Sequence, residues 1–151
     1  MMQNLWLYIA VFISLLLMVV LSLGGGLWGA EHSIGHWTGK LFERVCHQIP
    51  ERSFTINNVP MAVNSRCFGI FAGLQAGWML IPAAVRFRLE ASRISWFLLF
   101  AVIAQIIDYT GNLLGFWENT NISRVILGMF LGMTASLSLT DMFKNNFKNQ
   151  S

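Results

Sequence analysis

Two cysteines, three histidines and an aspartate set inside apolar sequence are the residues of this 151-residue chain best suited to chemistry. Zinc takes thiolate, imidazole and carboxylate in tetrahedral geometry. Cys46, His47 and Cys67, completed by His36, Asp108 or Asn64, therefore form a candidate metal site, and a transition metal such as zinc is the cofactor it implies. The competing use of the same sulfurs is a Cys46–Cys67 disulfide in an oxidising compartment, worth roughly 3 kcal/mol if unstrained. Arg52, Arg66 and Arg124 would add positive charge able to hold an anionic substrate or a lipid headgroup. Nothing in the spacing singles out a catalytic residue.

The elements that must position these groups are membrane helices. Charged residues make up 11% of the chain and hydrophobic ones 55%, whereas a soluble domain carries roughly a quarter charged. The net charge of +3 is modest and ungathered, which argues against nucleic acid and leaves the lipid bilayer as the partner. Four apolar stretches, at 5–23, 68–85, 94–117 and 122–142, approach the ~20 residues needed to span a bilayer as helices. The expected fold is all-α: a single membrane domain over 1–151, built as a four-helix transmembrane bundle. The first stretch lacks a basic leader, and Trp28 spoils the small-residue pattern before Glu31, so it reads as a retained helix.

Arg86, Arg88 and Arg93 crowd the short second connection, and Lys144 and Lys148 follow the fourth helix. By the positive-inside rule both termini are then cytoplasmic in a multi-pass inner-membrane protein. The outer segments also carry Lys40, Arg44, Arg52, Arg66 and Arg124, so the density of charge in short loops decides the orientation. The outer segment, 24–67, opens on Gly24, Gly25 and Gly26. It continues as an amphipathic surface helix over 32–47, with Ile34, Trp37, Leu41 and Val45 on one face and His32, His36, Glu43 and His47 opposite. Asn57 and Asn58 mark a turn. The tail at 143–151 is expected to fray.

Gly69, Gly73 and Gly77 recur every four residues in the second stretch, and Gly128 and Gly132, with Ser136, in the fourth. Such stripes let helix backbones approach closely in lipid. Gln105, Asp108 and Asn112 share one side of the third helix. A carboxylate at that depth costs about 2.5–3.5 kcal/mol and must face inward, be protonated or meet a cation. Arg124, at the start of the fourth helix, is the expected partner, with Glu118 competing for it.

The runs CHQIPERSF, MAVNSRCFGIFAG and IDYTGNLLGFWENTNISRVILGMFLG resemble a bacterial family of uncharacterised membrane proteins, domain-of-unknown-function family 2085. Its pattern is similar to CHQxPxRSF, then CxRCxGIYxG, then a DGxTQ-like and an ESTN-like element with a following arginine. The resemblance covers roughly 45–132 and implies a polytopic fold with a cysteine/histidine cluster, but no reaction. It places the family's Cys-His pair on Cys46 and His47, and its proline, arginine and serine on Pro50, Arg52 and Ser53. Its second CxRC cysteine falls on Cys67, preceded by Arg66. Its aspartate falls on Asp108, its threonine on Thr110, and its late polar cluster on Glu118, Asn121 and Arg124. Asn64 stands where the first CxRC cysteine belongs, and a neutral amide is a poor donor to soft metals.

The function expected is a thiol, imidazole and carboxylate cluster at the extracytoplasmic face, serving metal binding or thiol redox. A structural or accessory protein stapled by a disulfide is one alternative. An ion- or proton-coupled transport subunit is the other, and it would call for a homo-oligomer. The third helix offers only Ser95 as a polar group through its cytoplasmic half, which counts against a through-path.

Overall fold

The computed structural model describes residues 5–29, 33–87 and 89–140. In chain order its elements are α1 (Leu5–Ser22), α2 (Gly25–Trp28), α3 (Ser33–Phe42), a 3-10 turn at Pro50–Arg52, β1 (Thr55–Ile56), β2 (Val59–Pro60), α4 (Ser65–Arg86), α5 (Ala91–Leu113) and α6 (Asn121–Leu137). Among the described residues α1, α4 and α5 are long and apolar enough to cross a membrane, and α6, at 17 residues, is a shorter apolar helix. His32, Arg88, Lys144, Lys148 and the tail at 143–151 lie outside the described residues.

The centre of the fold is the α4–α6 pair. A side chain at Gly69, Gly73 or Gly77 would strike the backbone of Val125, Met129 and Met133 in turn. Each step of four on α4 is matched by a step of four on α6, which makes the two helices parallel. The reverse holds as well: Gly128 rests against Arg66 and Ile70, and Gly132 against Ile70 and Leu74. Dispersion between touching backbones is the main attraction available to helices in lipid, where burial of apolar surface contributes little.

Contacts run from α1 to α4, from α4 to α6 and from α6 to α5. The long helices thus form a tight central pair with a looser helix on each flank. On one flank Tyr8 of α1 stacks on Trp78 of α4 at 5.4 Å. The Tyr8 hydroxyl donates to the Trp78 carbonyl at 3.0 Å, and the Trp78 indole N–H donates to the Tyr8 carbonyl at 3.1 Å. On the other flank Phe100 of α5 meets Phe130 of α6 edge-on at 6.3 Å. The outer faces of α1 and α5 are almost wholly exposed apolar side chains, as helices solvated by lipid should be.

The Ala62 N–H donates to the Ser22 carbonyl at 3.1 Å, so α1 ends where α4 begins. One end of the molecule therefore collects the end of α1, the described residues of the 24–64 segment, the starts of α4 and α6, and the turn from α5 into α6. A small core of Phe42, Cys46, Ala62, Val63 and Phe71 ties these pieces together. The β1–β2 hairpin turns at Asn57 and Asn58, both with positive φ (52° and 62°), the backbone a two-residue turn demands.

The described part of the amphipathic helix, Ser33–Phe42, ends before the expected 47 and leaves its apolar stripe outward, as a helix lying along a membrane surface would. Thr38, Phe42 and Cys46 are buried, while Ile34, Trp37, Leu41 and Val45 are exposed. The reason is small-residue packing: Gly35 sits directly on the backbone of Gly25 and Gly29, which turns the Gly35–Thr38–Phe42 side inward.

Candidate functional site

The polar residues of the gathered end are organised by Asn64, the residue before α4. Its side chain does not cap its own helix. Instead its Oδ1 accepts from the Ile49 N–H at 2.8 Å and from the Ser53 hydroxyl at 3.3 Å. Its backbone N–H donates to the Cys46 sulfur at 3.1 Å. The Ser53 proton is shared with the Ile49 carbonyl at 3.0 Å, so the Ile49 N–H is the main partner of the amide oxygen.

Cys46 and Cys67 come together. Cys67 packs against the core that contains Cys46, and the two side chains are in hydrogen-bonding contact. Both are free thiols, so the disulfide expected from their spacing is absent. The histidines do not join them. Gln48 adopts a positive φ of 48° and its amide donates to the Gly39 carbonyl at 2.6 Å. That turn leaves Cys46 facing the core and His47 exposed, and His36 is exposed as well. Among the described residues no three of His, Cys, Asp and Glu lie close enough to hold a metal ion. The metal site expected from Cys46, His47, Cys67, Asp108 and His36 is corrected accordingly: two thiols meet and the other three groups go elsewhere.

Asp108 is engaged by Arg66, not by Arg124 as its chain position suggested. Arg66 stands in the first turn of α4, opposite the last turns of antiparallel α5, and reaches across to the carboxylate. Asn119 adds a second donor to the same carboxylate oxygen at 2.7 Å. Glu118 is exposed and takes no part. Arg124 donates instead to Asn121 Oδ1 at 3.3 Å, and the Asn121 amide donates to the Ser53 carbonyl at 3.2 Å. The Ser65 hydroxyl lies 2.9 Å from the Arg52 carbonyl and 3.1 Å from Asn121 Oδ1, one proton between two acceptors. The 49–53 segment and the starts of α4 and α6 are thereby stitched into one surface.

The electrostatic result is a surplus of positive charge. Arg66 holds the Asp108 carboxylate, and Arg124 stands within electrostatic reach of that pair and of Arg52. Among the described residues neither Arg52 nor Arg124 forms an ion pair, and Arg66 Nε is buried without a partner. The parallel starts of α4 and α6 point their positive dipole ends the same way. Such an arrangement favours an anion whose oxygens can accept from several N–H groups at once.

The three polar residues of α5 have separate uses. Asp108 is bound as described, Asn112 donates to the Trp117 carbonyl at 3.0 Å, and Gln105 Nε2 is buried without a partner. Sequence reasoning missed Asn64 as an organiser, Asn119 as the second donor to Asp108, and Ser65 as a bridge. Each stands beside a residue that was singled out, and only the helix entry angles decide which neighbour turns inward.

Residues 46–138 match the family described as predicted membrane protein, DUF2085. The chain is 35% identical over 105 residues to an uncharacterised protein of Methanocaldococcus jannaschii, a stretch covering 68% of this chain and 66% of that one, just under two thirds of the relative's length. It is 31% identical over 104 residues to an uncharacterised protein of Methanothermobacter thermautotrophicus, covering 69% and 91%. No solved structure matches. With apolar helices over most of its length and the family match running from Cys46 to Ser138, the chain belongs to the DUF2085 family of membrane proteins.

Proposed function

We propose that this protein is a single membrane domain that binds an oxyanion at its extracytoplasmic face. In this reading α6 also crosses the bilayer. Its 17 residues give ~25 Å of helix, at the lower limit for spanning, and the turn that follows extends it. Both termini are then cytoplasmic, as the basic residues of the second connection suggest. Arg52, Arg66 and Arg124 hold the anion, Asn121 and Ser65 orient the arginines, and Asp108 keeps Arg66 extended. One observation carries the reading: the Arg66–Asp108 pair, Arg124 on Asn121, and the Arg52 segment tied to both through Ser65 gather at the start of two parallel helices.

The test is titration of the purified protein in detergent with inorganic phosphate and sulfate, followed calorimetrically. Arg124→Gln is expected to weaken binding by about tenfold, the value of roughly one charge-assisted hydrogen bond. Arg93→Gln, at the opposite end, should leave it unchanged. Equal affinities in the two variants would reject the site. A second reading, thiol chemistry at Cys46 and Cys67, has the contact between the two free thiols in its favour.

A further inference from the structure

The anion site sits where the helices end, and its surroundings are apolar. On the same turns as Asp108 and Arg124 the chain exposes Tyr109, Leu113, Phe116, Trp117, Ile122 and Ile126, four of them by more than 60%. Tyrosine and tryptophan at this level mark the boundary between hydrocarbon and headgroups. That border sets the anion site level with the lipid headgroups, within reach of an anion attached to a chain in the hydrocarbon.

The helix arrangement leads the same way. α5 packs on α6 and scarcely meets α4, yet Arg66 of α4 and Asp108 of α5 join across their ends. The ion pair therefore forms a polar bridge at the rim of an otherwise apolar wall. Arg66 and Asp108 keep side-chain exposures of 24% and 12%, so the bridge is accessible. Arginine is suited to this task because its planar fork donates two parallel hydrogen bonds and sheds water more readily than an ammonium group.

Resting on the anion-binding reading, we infer that the ligand is the phosphate of a membrane lipid, with its headgroup oxygens on Arg66, Arg124 and Arg52 and its acyl chain along the exposed apolar residues of α5 and α6. The shared chemistry, a phosphate ester, would also be met by a free phosphate, and the test separates the two.

The protein is purified in detergent and examined by native mass spectrometry with phosphatidic acid, with diacylglycerol of the same chain length, and with inorganic phosphate. Retention of phosphatidic acid at about tenfold or more the level of diacylglycerol is expected, and at lower concentration than phosphate. Arg124→Gln and Arg52→Gln should each cut it by about tenfold. Arg66→Gln leaves Asp108 unpaired and risks the fold, so the paired change Arg66→Gln/Asp108→Asn is tested beside it, with helical content followed by circular dichroism. It should fold and lose lipid. Phosphate binding as tight as phosphatidic acid, and sensitive to Arg124→Gln, would overturn the lipid inference while leaving the anion site standing. Phosphatidic acid and phosphate both insensitive to the arginine changes would overturn both.

Discussion

Asn64 carries more of the local structure than its chemistry announces. Its amide oxygen holds Ile49 and Ser53, and its backbone N–H holds the Cys46 sulfur. Replacing the side chain with a methyl leaves the Ile49 N–H without its acceptor, a cost of about 1–3 kcal/mol, while the Ser53 hydroxyl keeps the Ile49 carbonyl at 3.0 Å. Asn64→Ala should therefore lower the thermal unfolding midpoint in detergent and also weaken anion binding, because Arg52 rides on the segment that Asn64 fixes. An unfolding midpoint equal to that of the parent would contradict this account. The two thiols beside Asn64 make a second prediction. With the diazene diamide as oxidant, Cys46 and Cys67 should form one disulfide, the sulfurs giving up two protons and two electrons to the N=N bond, which becomes a hydrazine. Titration should then find both thiols lost within one chain, and the single Cys46 thiol retained in a chain carrying Cys67→Ser. Dimers on a nonreducing gel in place of an internal bond would show that the contact is not direct. The pairing of these cysteines was legible in their positions. Their free state and the departure of His47 were not, since both depend on the backbone turn at Gln48.

The helices were readable because lipid imposes length and apolarity, and because glycine at every fourth position has few uses other than close packing. Their ends were less so. α5 stops at Leu113 because Gly115 takes a positive φ of 75° and Trp117 folds back until its indole covers Gly111. A hydrophobic run that continues through Leu114 and Phe116 hides that reversal. The outward stripe of α3, by contrast, was legible, since an amphipathic helix at a membrane surface turns its apolar side to lipid. The glycine interface yields a paired prediction. Gly73→Val puts atoms where the Met129 backbone lies and should destabilise by about 1–3 kcal/mol or more. Gly39→Ala meets nothing within 4 Å and should stabilise α3 by about 0.5–1 kcal/mol. Thermal unfolding of both variants in one detergent tests the pair. A tolerant Gly73 would mean that α4 and α6 are not in backbone contact.

At the scale of the whole molecule, antiparallel α1 and α4, parallel α4 and α6, and antiparallel α5 together decide which connections share a side. The described residues of the 24–64 segment and the 114–120 turn fall at one end, and Phe87, Leu89 and Glu90 at the other. That convergence brings thiols separated by twenty-odd positions, and arginines separated by many more, to one polar end. It followed from counting apolar stretches, because an even number of crossings returns the chain to its starting side. The identity of the Arg66–Asp108 pair did not follow, since it depends on which face of α5 turns towards the start of α4. The geometry makes a direct demand on the cell. In a background lacking both native cysteines, Asn58→Cys and Glu118→Cys should react with a membrane-impermeant maleimide applied to intact cells. Glu90→Cys should react only after permeabilisation. Labelling of positions 58 and 118 from opposite sides would require α4 and α5 together to cross an odd number of times. The arginines of α4 and α6 could not then share a face, and the anion site would be lost with them.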